Sequence, residues 1–202
     1  MMVDGDGNLL DGDQLLYIIA SGLYSNGELQ GGVVGTLMTN LAMEHALASQ
    51  KIPFVRAKVG DRYVLEQLNK TGWRLGGENS GHILTLDKTT SGDAIIAALQ
   101  VLHALKLSGK TLEILGKELV LYPQVLINVT YQPKVNQAKL DLSMPQLQEA
   151  VKSAEAELNG AGRVLLRASG TEPKIRVMVE GQDAKLVQKL AEEIADVVKK
   201  VT

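Results

Sequence analysis

The regular alternation of helix-like and strand-like segments between residues 13 and 109 most constrains the fold of this chain. Segments of helical length, from "DQLLYIIASGL" to "SGDAIIAALQVLHALKLSG", are separated by short apolar runs such as "GGVVGTLM", "PFVRAKV" and "HILTL". Apolar runs of this length are typical of buried strands, and strands that alternate with helices are usually parallel. The pattern predicts an α/β domain with three α/β/α layers around a mixed, mainly parallel sheet.

The pattern changes near residue 120. "QVLINVTY" and "RVLLRASGTEPKIRVMVEG" predict strands, and "DAKLVQKLAEEIADVVKKV" predicts a closing amphipathic helix. Another helix is predicted at "SMPQ", with Ser143 and Gln146 as a capping box and Pro145 in its first turn. We therefore expect two domains, residues 1–120 and a smaller α+β domain with an antiparallel sheet and helices at residues 121–202.

The bulk composition excludes several classes of partner. A net charge of −2 and an aromatic content of 3% argue against nucleic acid. No segment is apolar over the length of a membrane span, and the sequence contains no cysteine for disulfides or thiolate metal sites. These features predict a cytoplasmic protein that binds neither nucleic acid nor a membrane.

The opening segment "MMVDGDGNLLDGD" resembles a loop that holds a divalent cation. A calcium loop starting at Asp4 would require glycine at Leu9 and glutamate at Leu15, so that template fails. Asp-Gly and Gly-Asn pairs flanked by apolar residues are typical of hairpin turns. We expect turns here, with Asp11 and Asp13 leading into and capping the helix at Gln14, and no metal site.

The segment "RASGTEPKIR" has the composition of a phosphate-binding loop. Ser169 and Thr171 offer hydroxyl groups, Gly170 lets successive N–H groups face one oxyanion, and Arg167 and Arg176 supply forked cationic donors. Strand alternation places Arg176 on the face opposite Ile175, so it need not be buried. The alternative is an ordinary turn with two solvated arginines.

The segment "GGENSGHILTL" gathers polar groups between two strands. Glu78, Asn79, Ser80 and His82 offer acceptors and donors suited to a ligand rich in hydroxyl groups. A structural histidine and a solvated glutamate are the alternative.

The segment "RAKVGDRYV" ends a strand and begins a helix. Lys58 and Arg62 flank a Gly-Asp turn, where the helix N-terminus favours an anion, although Asp61 could serve only as the N-cap. Elsewhere no serine has the base and acid of a hydrolase triad, and His45, His82 and His103 lack metal-ligand spacing.

Five motifs in order, "GTLMTN", "AKVGDRYV", "GGENSGH", "DKTTSGD" and "RASGTEPKIRVMVEG", resemble the α-D-phosphohexomutase superfamily over essentially the whole chain. The Glu-Asn-Ser-Gly-His form is more similar to the bacterial phosphoglucosamine mutases than to phosphomannomutases or phosphoglucomutases. The resemblance implies a cytoplasmic isomerase, an intramolecular phosphotransferase that interconverts glucosamine 6-phosphate and glucosamine 1-phosphate on the route to UDP-N-acetylglucosamine and peptidoglycan. A phosphoserine and a bisphosphorylated sugar take part in the family's reaction.

Roles carried over from the resemblance agree with the residue-based interpretation. Glu78 and Ser80 match the sugar-binding loop of the family's third domain, and His82 matches a histidine near the reacting hydroxyl, a candidate acid or base. The segment from Arg167 to Arg176 matches the fourth-domain loop that holds the non-reacting phosphate. Lys58 and Arg62 match a motif near the domain interface, where they are candidates for substrate contact.

Two family signatures are absent from these 202 residues. The family's catalytic serine lies in a Ser-His-Asn-Pro segment and its Mg²⁺ loop is Asp-Gly-Asp-Gly-Asp-Arg, and the resemblance implies that both lie upstream of residue 1. Residues 1–10 then correspond to the end of the second domain, the missing N-terminal domains are partners, and the isolated chain is predicted to be inactive. A homodimer is one assembly that the parent enzyme could form. The alternatives are a phosphomannomutase or phosphoglucomutase fragment and a stand-alone, non-catalytic sugar-phosphate binding module.

Overall fold

The computed structural model describes residues 1–132, 141–169 and 172–202. The chain divides into two compact units, Met1–Leu121 and Tyr122–Thr202. Among the described residues, none of the helices is both long and apolar enough to cross a membrane.

The first unit alternates strands and helices as the sequence predicts. Its elements in chain order are β1 (Met2–Val3), β2 (Leu9–Leu10), α1 (Gly12–Ser25), β3 (Val33–Thr36), α2 (Leu41–Ser49), β4 (Phe54–Ala57), α3 (Asp61–Thr71), β5 (Leu75–Gly77), β6 (Ile83–Thr85), α4 (Ala94–Ser108) and α5 (Leu112–Gly116).

A four-stranded sheet in the order β4-β3-β5-β6 forms the centre of this unit. β3 is parallel to both β4 and β5, whereas β6 is antiparallel to β5. Val34 and Leu84 pack with Val64 and Leu68 of α3, while Ile83 lies beside Leu15 of α1 and Val101 of α4. Helices thus cover both faces of the sheet, and the predicted α/β/α class is confirmed.

The turn between β1 and β2 is built around the Asp4 carboxylate. Its Oδ1 accepts the N–H groups of Asp6 and Asn8 at 3.0 and 2.8 Å, and its Oδ2 accepts the Asn8 side-chain amide at 3.0 Å. These bonds hold the pKa of Asp4 below its usual value, with the Asn8 side chain as the main cause. The predicted turn is confirmed.

The start of α1 differs from the prediction in one residue. Asp11 is the N-cap, and it forms a reciprocal capping box with Gln14. Asp13, expected as a cap, is instead buried in the first turn, where its Oδ2 accepts the Asn40 N–H at 2.8 Å. Asn40 in turn caps α2 by accepting the Ala42 N–H at 3.0 Å, so this contact ties the starts of two helices together.

The second unit is an antiparallel sheet with helices, again as predicted. Its elements are β7 (Gln124–Thr130), α6 (Pro145–Leu158), β8 (Gly162–Ala168), β9 (Lys174–Gly181) and α7 (Ala184–Val201), and the strand order is β7-β9-β8. Val177 and Val179 of the central strand pack with Leu147 of α6 and with Leu190 and Ile194 of α7. One face of the sheet is therefore covered by helices.

The predicted capping box of α6 is wrong. Met144 is the N-cap and has no side-chain capping bond, although Pro145 does occupy the first turn. The Ser143 hydroxyl donates to Asp141 Oδ1 at 2.7 Å, and the Ser143 N–H donates to the same oxygen at 2.9 Å. Ser143 is thus held in a local turn before the helix, because the Asp141 carboxylate is a stronger acceptor than the backbone alternatives.

Candidate functional site

The strands β8 and β9 bring Arg167 and Arg176 together. The two residues are directly opposite one another in the antiparallel register, and Asn128 of β7 lies opposite Arg176 on the other side. Because Ile175 and Val177 point into the helix-covered core, strand alternation places Arg176 and its partner Arg167 on the open face of the sheet. The register thus forms a pair of guanidinium groups at the mouth of the β8–β9 loop.

The positive charges of Arg167 and Arg176 repel each other unless a group of opposite charge lies beside them. Among the described residues, the Nε atoms of both Arg167 and Arg176 are buried and have no hydrogen-bond partner. Burial, followed by the charge of Arg176, lowers the pKa of Arg167. The nearby Glu172 carboxylate is instead bonded to Lys174 Nζ at 2.8 Å. Two opposed cations with unsatisfied donors are typical of an anion-binding site.

The loop after β8 is folded back by short bonds. Ser169 is 5% exposed, its N–H donates to the Lys174 carbonyl at 2.8 Å, and its Oγ accepts the Glu172 N–H at 3.3 Å. Gly170 and Thr171, the other predicted members of this loop, lie outside the described residues. The Ser169 backbone is thus fixed next to the arginine pair.

The open face of β9 is more buried than a simple alternation of exposed and buried residues suggests. Arg176 is half-buried, and on the same face Met178 is buried and Glu180 has no exposed area. Glu180 is ion-paired with Arg163 and accepts the Gln124 side-chain amide at 2.9 Å. The buried carboxylate is therefore satisfied by a cation other than the arginine pair.

In the first unit, the β5–β6 loop positions the residues predicted to contact a sugar. The Glu78 N–H donates to the His82 carbonyl at 3.0 Å, and the Gly81 N–H donates to the Glu78 carbonyl at 2.9 Å. The Asn79 carbonyl accepts the Gly12 N–H at 2.9 Å, which fixes the loop on the start of α1. Ser80 at the tip is exposed. The loop is thus a tight turn whose side chains are presented outward.

The β4–α3 loop contacts the same residues from the side. Glu78 Oε1 accepts the Gly60 N–H at 2.9 Å, and Asp61 Oδ2 lies 3.7 Å from His82 Nε2. Gly60, and not Asp61, is the N-cap residue of α3, and it makes no side-chain capping bond. The structure therefore brings the two predicted segments together at one end of the sheet.

Lys58 of the β4–α3 loop and Arg62 of the first turn of α3 are solvent-accessible. Lys58 Nζ lies 5.7 Å from the centroid of the Tyr63 ring, and both Lys58 and Arg62 are exposed. Both side chains are therefore open to contact with a ligand in solution.

Two glycines of this site were not singled out in the sequence. A Cβ atom at Gly92 would overlap the His82 ring, and one at Gly12 would overlap the carbonyl oxygens of Glu78 and Asn79. Close approach of backbone to a neighbouring group requires glycine, but a glycine in a single sequence does not reveal what it approaches. The Gly60 N–H bond to Glu78 was missed for the same reason, since a backbone donor has no side-chain signature.

Other candidates for metal binding are not brought together. Within the described ranges, no group of three or more histidine, cysteine, aspartate or glutamate residues could hold a metal ion. His45 and His103 are exposed on α2 and α4.

Comparison with known proteins agrees with both units. Residues 11–121 match the model of phosphoglucomutase/phosphomannomutase alpha/beta/alpha domain III, and residues 126–197 match that of the C-terminal domain. The phosphoglucosamine mutase of Methylobacillus flagellatus is 70% identical over 198 residues, and that of Thiobacillus denitrificans is 57% identical over 199. Each alignment covers 98% of this chain and 43% of the relative, so the chain spans less than half the length of these relatives.

A solved structure supports the fold. The crystal structure of Aspergillus fumigatus N-acetylphosphoglucosamine mutase, in complex with GlcNAc-6P and magnesium, superposes with a TM-score of 0.77 at 22% identity. The match covers 98% of this chain and 49% of the fungal chain. The resemblance inferred from the five motifs is confirmed, because two domain models match consecutive parts of the sequence. The chain belongs to the phosphoglucomutase/phosphomannomutase family.

Proposed function

We propose that this chain forms the sugar-binding and phosphate-binding part of a phosphoglucosamine mutase, an isomerase that interconverts glucosamine 6-phosphate and glucosamine 1-phosphate. The observation that carries the proposal is the opposed pair Arg167 and Arg176, whose buried Nε donors lack partners among the described residues. The 70% identity to the phosphoglucosamine mutase of Methylobacillus flagellatus supports the choice of sugar.

The phosphate that does not react would be held in the second unit. Arg167 and Arg176 supply charged donors, and Ser169 supplies a backbone segment fixed beside them. Gly170 and Thr171 complete the loop in this proposal. A dianion would satisfy the unpaired Nε donors and remove the repulsion between the two guanidinium groups.

The sugar would be held in the first unit. Glu78, Asn79 and Ser80 read the hydroxyl groups, and Lys58 and Arg62 add positive charge near them. His82 is a candidate acid or base for the reacting hydroxyl. Because a mutase must accept the sugar phosphate in two orientations, hydroxyl-reading side chains suit the reaction better than contacts specific to one end.

The chemistry of phosphoryl transfer is assigned to domains outside these residues. A phosphoserine would donate its phosphoryl group to the sugar and recover another from the bisphosphate, while this chain positions the substrate. The described residues do not fit a magnesium site, since no acidic cluster is present among them and the Asp4 carboxylate is occupied by its own turn. In this proposal the parent enzyme supplies the Mg²⁺ ligands and the N-terminal partner domains, and it is cytoplasmic.

Calorimetric titration of the 202-residue chain with glucosamine 6-phosphate tests the binding role. Arg176→Gln should weaken binding by about tenfold or more, because a charge-assisted hydrogen bond is lost. Arg74→Gln is the matched control, since Arg74 is an exposed arginine of the other unit. Equal affinities of the wild type and Arg176→Gln would contradict the proposed phosphate site.

A second assay tests the division of labour. We expect the chain alone not to convert glucosamine 6-phosphate, whereas the parent enzyme does. Conversion by the purified chain at an enzyme-like rate would contradict the assignment of the chemistry to other domains. The parent enzyme should turn over glucosamine phosphates faster than mannose or glucose phosphates. If it does not, a phosphomannomutase or phosphoglucomutase is favoured. That alternative is kept because the matching family models are named for those two activities.

A further inference from the structure

Two consecutive residues of the β4–α3 loop contact two side chains of the proposed sugar site. The Gly60 N–H donates to Glu78 Oε1 at 2.9 Å, and Asp61 Oδ2 lies 3.7 Å from His82 Nε2. Neither Gly60 nor Asp61 was assigned a ligand contact above. Both contacts therefore link the start of α3 to the segment that contains Glu78 and His82.

The contact from Gly60 fixes one oxygen of a flexible carboxylate. With Oε1 occupied by a backbone donor, the Glu78 side chain is held in one orientation, and Oε2 is the oxygen that remains for a ligand hydroxyl. Gly60 has φ of +124°, a backbone conformation that other residues rarely adopt. A Cβ there would meet only Tyr63, at 3.4 Å, so glycine is required by the backbone conformation and not by lack of space.

The contact from Asp61 limits the positions open to the His82 imidazole. Gly92 also approaches the His82 ring so closely that a Cβ there would overlap it. The side chains of His82 and Asp61 are 41% and 65% exposed, so burial alone does not hold the ring in place. A half-exposed ring with a carboxylate and a backbone segment close to it has fewer accessible rotamers than a free one.

We propose that Gly60 and Asp61 form a positioning element for the sugar site, in which Gly60 sets the Glu78 carboxylate and Asp61 sets the His82 imidazole. This inference rests on the proposed function of Glu78 and His82. Both contacts come from the N-terminal end of α3. A displacement of that end would therefore shift the Glu78 and His82 side chains at once. Gly60 and Asp61 thereby determine how a hydroxyl group is bound without contacting it themselves.

The Asp61 contact is tested by NMR on the chain without ligand. Wild type should show NOE cross-peaks between the His82 ring protons and the Gly92 Hα protons, and Asp61→Ala should lose them. Glu66→Ala, an exposed acidic residue of the same helix, should retain them. Because Asp61 is exposed, its replacement should leave the fold intact, and unchanged cross-peaks in Asp61→Ala would overturn the proposal for His82.

The Gly60 contact is tested with a matched pair of glycine variants. Gly60→Ala and Gly72→Ala both place alanine at a positive φ, at opposite ends of α3, and neither Cβ meets a close neighbour. Only Gly60→Ala should raise the Kd for glucosamine 6-phosphate, by about tenfold. In a Glu78→Ala background the same substitution should have no further effect, since a positioning residue acts through its partner.

The outcomes separate the two proposals. Equal Kd values for Gly60→Ala and Gly72→Ala would overturn the role of Gly60 while leaving the proposed function in place. A wild-type chain that binds no sugar phosphate would contradict the proposed function, and the Asp61→Ala spectra would then still decide whether the loop positions His82.

Discussion

At the scale of single residues, the most informative feature is that Arg167 and Arg176 are placed directly opposite one another. Like charges that face each other across two strands destabilise a sheet, and burial of their Nε atoms adds to the effect. A fold that only needed stability would be better served by a neutral residue at one of these positions. The proposed phosphate, bound by both groups, would account for the arrangement.

The first prediction concerns the stability of the ligand-free chain. Arg176→Gln should raise the free energy of unfolding by roughly 0.2–1 kcal/mol at low salt, because it removes one member of a like-charged cross-strand pair. Salt should stabilise the wild type more than the variant, since ions screen the repulsion. Urea unfolding at two ionic strengths measures both effects. A variant less stable than wild type at low salt would contradict the argument.

The second prediction concerns the buried ion pair on the same sheet. Arg163→Met should destabilise the chain by about 3 kcal/mol, because it removes the ion pair made by the fully buried Glu180. The matched control is Lys189→Met, whose ion pairs with Glu157 and Glu193 are solvent-exposed and should contribute less than about 1 kcal/mol. Chemical denaturation compares the two variants, and equal losses would contradict this view of Glu180.

At the scale of secondary-structure elements, helix starts show how local hydrogen bonds decide boundaries. Asp11 caps α1 through a capping box, yet burial is the main influence on its carboxyl group and raises its pKa. The raised pKa means that the charged cap is partly desolvated. A neutral side chain with the same acceptor should serve this position equally well.

The third prediction follows from that cap. Asp11→Asn should be as stable as the wild type or more so at neutral pH, whereas Asp11→Ala should lose about 1 kcal/mol. Because the folded-state pKa of Asp11 is raised above 3.8, the wild type loses stability relative to Asp11→Asn as pH rises through that region. Thermal unfolding of the three proteins at acidic and neutral pH measures this difference. A wild type that gains stability over Asp11→Asn with rising pH would show that the sign is wrong.

The sequence predicted elements better than their connections. Long apolar periodicities located α4 and α7, and the apolar runs located β3, β4 and β9. Many residues of one segment are buried together, so the pattern of the whole segment indicates the element. The caps expected at Asp11 and Ser143 depend on which of several nearby acceptors takes the hydrogen bond. The sequence pattern does not determine that choice. In the site, the polar side chains of Glu78 and His82 were predictable, but their contacts with Gly60 and Asp61 depend on how two separate segments meet in the fold.

At the scale of the whole molecule, the chain is two units with separate cores. The second unit packs Val177, Leu147 and Ile194 in one cluster, and the first packs Val34, Val64 and Leu84 in another. The sequence predicts a boundary between residues 120 and 121, and the first unit of the structure ends at Leu121. Each unit therefore has the apolar core that independent folding needs.

The fourth prediction is that residues 1–121 and residues 122–202 fold when produced separately. Each piece should give a dispersed NMR spectrum and a cooperative thermal transition, because neither relies on the other for its core. Only the second piece should gain thermal stability from inorganic phosphate, by mass action on the arginine pair. A second piece that is unfolded by itself would contradict the domain boundary.

The central position of β9 in its sheet has a consequence for how long the chain around Arg176 survives proteolysis. A strand bonded on both sides has no free edge to fray, so the backbone at Arg176 becomes accessible to proteases only in an open state in which a neighbouring strand has separated from β9. Occupancy by the proposed phosphate ligand would lower the population of that open state by the same factor by which it stabilises the fold. The level of sugar phosphate would then set the lifetime of the domain as well as its occupancy.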